Sequence, residues 1–161
     1  MTTILVAADA RWVRDQVRAA FVAPGQTVIE VTRGQDVRDA FGREEPDLVI
    51  LDLQIGNMGG VASAIDLRLE ESAGRLDRAT ILLLLDREAD RFLAKRADAD
   101  GVLVKPVDAG TLRRAARRLL EEAEARSFAV ERTIDGLTGE VIPEVAELSD
   151  EPDAETEAEA S

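Results

Sequence analysis

The feature that most constrains this chain is an alternation of short, mostly apolar runs with longer amphipathic stretches. The runs TILVA (Thr3–Ala7), TVIEV (Thr27–Val31), LVIL (Leu48–Leu51), ILLLL (Ile81–Leu85) and VLV (Val102–Val104) read as strands. The third and fourth contain no polar residue at all. A strand without polar alternation is buried on both faces, which is the habit of parallel sheets covered by helices. Between the runs lie five segments of helical period. Helix one spans about residues 10–21, with Trp12, Val13, Val17, Ala20 and Phe21 inward, and is broken by Pro24-Gly25. Helix two covers Asp36–Arg43 with Val37, Ala40 and Phe41 inward. Helix three covers Val61–Ala73 with Val61, Ile65 and Leu69 inward, and helix four Arg87–Arg96. Asp108 caps helix five, which runs to about Arg126 with Leu112, Ala115, Ala116, Leu119 and Leu120 inward. The expected fold is α/β: a five-stranded, doubly wound parallel sheet with helices on both faces.

The charge is unevenly distributed. The 161 residues carry a formal net charge of −13, but from Phe128 onward there are eleven acidic residues and one basic, a net −10. The expected organisation is a domain over residues 1–126, a linker of uncertain order over 127–148, and a disordered acidic tail over 149–161. Val130, Ile134, Leu137, Val141, Ile142 and Val145 give the linker enough apolar surface to dock on the domain or on a partner. Cysteine and histidine are absent. That excludes disulfides, thiol chemistry, Cys/His zinc sites and histidine relays, so a metal here must take oxygen ligands. Strong net negative charge argues against nucleic acid or an anionic membrane as partner. No run approaches the ~18 apolar residues of a membrane span. The N-terminus lacks the basic start of a signal peptide, so a soluble cytoplasmic protein is expected.

In open parallel sheets the chemistry gathers at the carboxyl ends of the strands. Those ends read Ala8-Asp9 after strand one, Asp52 after strand three, Asp86 after strand four and Lys105-Pro106 after strand five. Taken singly, such aspartates are ordinary turn or cap residues: Asp9 would cap helix one and Asp86 helix four. Taken together, carboxylates and one ammonium at one edge suit a hard divalent cation and phosphoryl transfer onto a carboxylate.

The segments ILVAADARWVR, PDLVILDLQIGNMGG, ILLLLD and DGVLVKPVDAGTL together resemble the receiver domain of two-component response regulators, a flavodoxin-like fold, over about residues 2–122. The resemblance implies that Asp52 accepts a phosphoryl group from a histidine kinase or phosphotransfer protein. It implies Mg²⁺ held by Asp9, Asp52 and the backbone carbonyl of Gln54, with Lys105 pairing the phosphoryl group ahead of a cis peptide to Pro106. It further implies signalling through a downstream protein, without enzymatic turnover, and a homodimer surface running from helix four to helix five. Three positions depart from the family pattern. Ala8 replaces the first acid of the usual pair, Asp86 stands where a small hydroxyl is expected, and Val102 replaces the aromatic switch residue. These departures favour the alternative of a phosphorylation-independent pseudo-receiver that acts as an interaction module. Glycines at positions 56, 59 and 60 also loosen the loop after Asp52.

Other classes fit less well. A haloacid-dehalogenase-type hydrolase needs an acid at position 54, where Gln54 stands. A dinucleotide-binding fold needs a glycine-rich turn after strand one, and AADAR has none. The acidic C-terminal segment is too short for a helical DNA-binding domain. Arg113, Arg114, Arg117 and Arg118 read as a solvated helix face with Arg117–Glu121 and Arg118–Glu122 pairs.

Overall fold

The computed structural model describes residues 1–137, with side chains through Arg132. Expectations for Val141, Ile142, Val145 and residues 149–161 fall outside the described residues. The chain alternates β1 (Thr2–Ala7), α1 (Arg11–Ala20), β2 (Gln26–Val31), α2 (Val37–Glu44), β3 (Leu48–Asp52), α3 (Gly60–Ser72), β4 (Ile81–Leu85), α4 (Arg91–Arg96), β5 (Gly101–Val104) and α5 (Ala109–Leu137). A 3₁₀ turn leads into each of α2 and α4, at Gly34–Asp36 and Glu88–Asp90. All strand pairs are parallel, in the order β2-β1-β3-β4-β5.

The doubly apolar strands feed two separate cores. Leu5 and Ala7 of β1, Val49 and Leu51 of β3, and Ile81, Leu83 and Leu85 of β4 pack with residues of α2, α3 and α4. Their alternates Ile4, Val6, Leu48, Ile50, Leu82 and Leu84 pack with Val13 and Val17 of α1 and Leu112, Ala116 and Leu119 of α5. Side chains alternate across a strand, so helices on both faces demand apolar residues at every position.

Three expectations about helices need correction. Trp12 does not join the inward face of α1; it is 53% exposed. The buried face of α3 is Gly60, Ser63, Ala64 and Leu67; Val61 packs partly buried against the core, but Ile65 and Leu69 do not join it. Ile65 and Leu69 are 39% and 59% exposed. The cause is the closeness of the helix to the sheet. A Cβ on Gly60 would collide with the Asp52 carbonyl oxygen, and Ser63 Oγ donates to the carbonyls of Gly34 and Gly59. At Gly60 the approach leaves no room for a side chain, and the first buried positions of α3 are small, with Leu67 filling the face farther along.

Finally, α5 does not stop near Arg126 but runs through Leu137. The buried stripe ends earlier, but from Glu121 to Asp135 the sequence has no proline or glycine and is rich in Glu, Ala and Arg, all good helix formers. Met1–Arg126 form one compact unit, and the described residues from Ser127 belong to a second. In the second, Phe128 and Val130 are exposed.

The amino end of the sheet is closed by one carboxylate. Asp100, its side chain only 4% exposed, accepts from the Ile81 N–H and from Arg68 at 2.8 Å each, from Arg126 at 2.7 Å and from Arg78 at 3.2 Å. Burial alone would raise the Asp100 pKa, but the Ile81 hydrogen bond and the arginines outweigh it and lower it. A lowered pKa means stabilisation that is complete above the ordinary carboxylate pKa of about 3.9 and is lost as pH falls toward the folded-state value. Asp100→Asn should therefore cost about 2–4 kcal/mol at pH 7, by leaving buried guanidinium groups short of charge. In urea titrations the gap to wild type should close below about pH 4 as wild-type Asp100 protonates. For the α3–β3 contact we expect Gly60→Ala to destabilise by about 1–3 kcal/mol through the clash. Helix propensity alone would favour alanine by about 1 kcal/mol, so the sign of the measured change in unfolding free energy distinguishes the two effects.

Candidate functional site

Four loops meet at the carboxyl end of the sheet. Asp52 is the last residue of β3 and is 1% exposed. Its Oδ1 accepts from Lys105 Nζ at 2.6 Å and from the Gln54 N–H at 3.3 Å. Lys105 follows β5, its own N–H bonded to the Leu85 carbonyl at 2.8 Å, and its peptide bond to Pro106 is cis. A second carboxylate shares the ammonium: Asp86 Oδ1, just past β4, lies 3.0 Å from Nζ. Asp86 therefore does not cap α4. The flanking residue of the turn there is Arg87, and no side chain caps either the turn or α4. Burial would depress the Lys105 pKa, but its hydrogen bonds and ion pairs with Asp52 and Asp86 outweigh burial and raise it.

Asp9 is exposed and does not cap α1; its Oδ2 accepts from the Gly56 N–H at 3.2 Å. That bond ties the loop after β1 to the loop after β3. Asn57 adopts a left-handed φ of 67° within the latter loop, and the Met58 N–H closes onto the Gly56 carbonyl at 2.9 Å. Ala8 is fully buried beside Asp9, so no second carboxylate is available from β1. Val102 lies in β5, partly buried, with no ring at that place.

Two contributors escape a reading of strand ends. Arg14, one turn into α1, donates from Nη1 to the carbonyls of Ala8 and Asp9, both at 2.7 Å, and from Nε to Glu30 of β2 at 3.2 Å. It fixes the loop that carries Asp9. Trp12 stands with its ring centre 5.9 Å from Lys105 Nζ, within cation–π range. Its position three residues after Asp9, in the first turn of α1, was the available signal.

The donor chemistry suits a hard cation that keeps much of its water. Mg²⁺ is commonly held by one or two carboxylates, with water completing its octahedron. Asp9 and Asp52 are carboxylates of the kind such a cation takes, and each accepts an N–H from the loop after β3. Among the described residues no group of three acidic or other metal-ligating side chains assembles, so any such site is lean in protein ligands. Among the described residues, no helix is long and apolar enough to cross a membrane.

The sequence model of the response regulator receiver domain matches residues 4–117. Response regulator protein PmrA of Pseudomonas aeruginosa is 32% identical over 125 residues, which cover 78% of this chain and 55% of that protein. Protein PilH of the same organism is 27% identical, over 70% of this chain and 92% of PilH. The chain spans about half the length of most of the curated relatives it matches. Among solved structures, the receiver domain of sensor histidine kinase PA1611 from Pseudomonas aeruginosa superposes with a TM-score of 0.64. That match has 24% identity and covers 74% of this chain and 98% of that one; the structure holds a magnesium ion in its active-site cleft. A buried strand-end aspartate bonded to a lysine, on a β2-β1-β3-β4-β5 sheet whose sequence carries this match, places the chain in the response regulator receiver domain family of two-component signalling.

Proposed function

We propose that this receiver domain accepts a phosphoryl group on Asp52 from a histidine kinase or phosphotransfer protein and passes the signal to a downstream protein by contact. The observation that carries this reading is the 2.6 Å bond between Lys105 Nζ and the Oδ1 of the buried Asp52. In the transfer, an Asp52 carboxylate oxygen attacks the phosphorus of a phosphohistidine. The new O–P bond forms as the N–P bond breaks, and that bond's electron pair stays on the imidazole nitrogen, which takes a proton from water. Lys105 is placed to neutralise charge on the transferred group. Asp9, Asp52 and the Gln54 carbonyl would hold Mg²⁺, which would supply the rest of the charge compensation.

Asp86 sets the resting condition of this site. Two unit charges about 5 Å apart repel by roughly 3 kcal/mol at an effective dielectric near 20. Asp52 and Asp86 avoid that by sharing Lys105. An arriving phosphoryl group must displace Asp86 from the ammonium. The same ion pair supports a second reading, a pseudo-receiver in which Lys105 stays committed to Asp86 and no phosphoryl cycle runs.

Incubation with a small-molecule phosphodonor and Mg²⁺, read by intact mass, decides between them. We expect one added phosphoryl group on wild type and none on Asp52→Asn. Asp86→Thr should take it up on the order of tenfold faster, equivalent to about 1.4 kcal/mol of barrier. No uptake by wild type or by Asp86→Thr would establish the pseudo-receiver reading. Trp12 is the chain's sole tryptophan and stands over Lys105, so its emission should change with millimolar Mg²⁺, and the melting temperature should rise by linkage. An unchanged emission and melting temperature would remove the metal from the site.

A further inference from the structure

One face of α5 carries charges that find no partner among the described residues. The expected Arg117–Glu121 ion pair does not form, whereas Arg118–Glu122 does, at 3.5 Å. Among the described residues, Arg113, Arg117, Glu121 and Glu124 all lack an oppositely charged partner; Arg113 reaches only the Ala20 carbonyl, at 3.3 Å. All four line one hollow of about 290 Å³ between α5 and the α1–β2 turn. Its floor is apolar: Ile4, Phe21, Ala116 and Leu120. A second hollow adjoins it through Phe21 and Gln26, walled by Pro24 and by Val22, which is 79% exposed. An apolar floor rimmed by charged groups is the anatomy of a protein interface.

The order of the charges identifies the occupant. Along the helix the face reads basic, basic, acidic, acidic, at positions 113, 117, 121 and 124. Such a stripe complements itself when a second copy lies antiparallel. Arg113 then faces Glu124 of the second copy and Arg117 faces its Glu121, with both relations repeated by symmetry. Both pairings place the two-fold axis at the same point, near Leu119. That agreement is what an isologous contact requires. A parallel arrangement would set arginine against arginine and glutamate against glutamate.

We propose that the chain forms a two-fold dimer through the α1-facing side of α5, with the two helices antiparallel and the α1–β2 turns flanking them. The dimer uses the side of α5 away from α4, not the surface from helix four to helix five. It is independent of the phosphoryl-receiving role of Asp52. Contact areas below the usual ~800 Å² per partner give weak complexes, and a single helix pair with two flanking turns belongs to that class.

The test is charge-swap complementation on the full chain, read by sedimentation velocity from about 5 to 200 µM. Wild type should show a monomer–dimer equilibrium. Its dissociation constant should weaken at least tenfold between 0.1 M and 1 M salt, as the screening length falls from about 10 Å to about 3 Å. The Arg113→Glu/Arg117→Glu variant and the Glu121→Arg/Glu124→Arg variant should each be monomeric, because each meets its own copy with like charges. Mixed one to one, they should form a heterodimer, since every facing pair is then complementary. All four positions are solvent-exposed, so both variants should keep the wild-type circular dichroism and melting profile. A wild type monomeric at 200 µM would overturn the proposal. So would variants that dimerise like wild type, or a mixture that stays monomeric.

Discussion

The site depends on one ammonium group. Lys105 Nζ holds Asp52 at 2.6 Å and Asp86 at 3.0 Å, and thereby joins the ends of β3, β4 and β5. Remove that cation and two carboxylates would face each other across neighbouring strands, one of them almost wholly buried. Lys105 is itself tied to β4 through its N–H to the Leu85 carbonyl. Its position follows from the length of β5 and the register of β5 against β4, which pairs Val104 with Leu85. The chemistry of the edge is in this sense a product of strand register.

The opposite end of the sheet is held by inverse means. There a single carboxylate, Asp100, gathers three guanidinium groups and the first amide of β4. Arginine forks suit that duty, because each planar group can bond several acceptors and remains charged. Arg68 of α3 also bonds the carbonyls of Ala79 and Asp98, and Arg126 brings in α5. The amino end is thus cross-linked by many bonds, and the carboxyl end by few. A domain that must answer to a ligand concentrates its weakly tied segments where the ligand arrives.

Much of this was legible in the sequence, and the exceptions share a cause. Strands β3 and β4 were evident because burial on both faces suppresses polar alternation, which leaves runs such as ILLLL. Asp52 and Lys105 were evident because the topology rule sends strand ends to one edge. The face of α3 was misjudged because periodicity reports which residues are apolar, not how close the helix stands to the sheet. At Gly60 and Ser63 closeness decided, and Ile65 and Leu69 were left outside. Helix α5 was read short because its buried stripe ends before its helix-forming composition does. Arg14 and Trp12 act from inside a helix, through side chains long enough to reach back to the strand ends, and no spacing rule for loops would have selected them.

The collision that keeps Gly60 a glycine also bears on how the domain can respond. With α3 seated directly on the Asp52 carbonyl, the main chain at Asp52 is pinned against a helix and cannot be pushed that way. On the other flank, Asp86 hangs from Lys105 by a single ion pair at a partly open surface. The cleft therefore resembles a vice with one fixed jaw and one sliding jaw. The Asp86 side of the cleft is the less tightly held of the two.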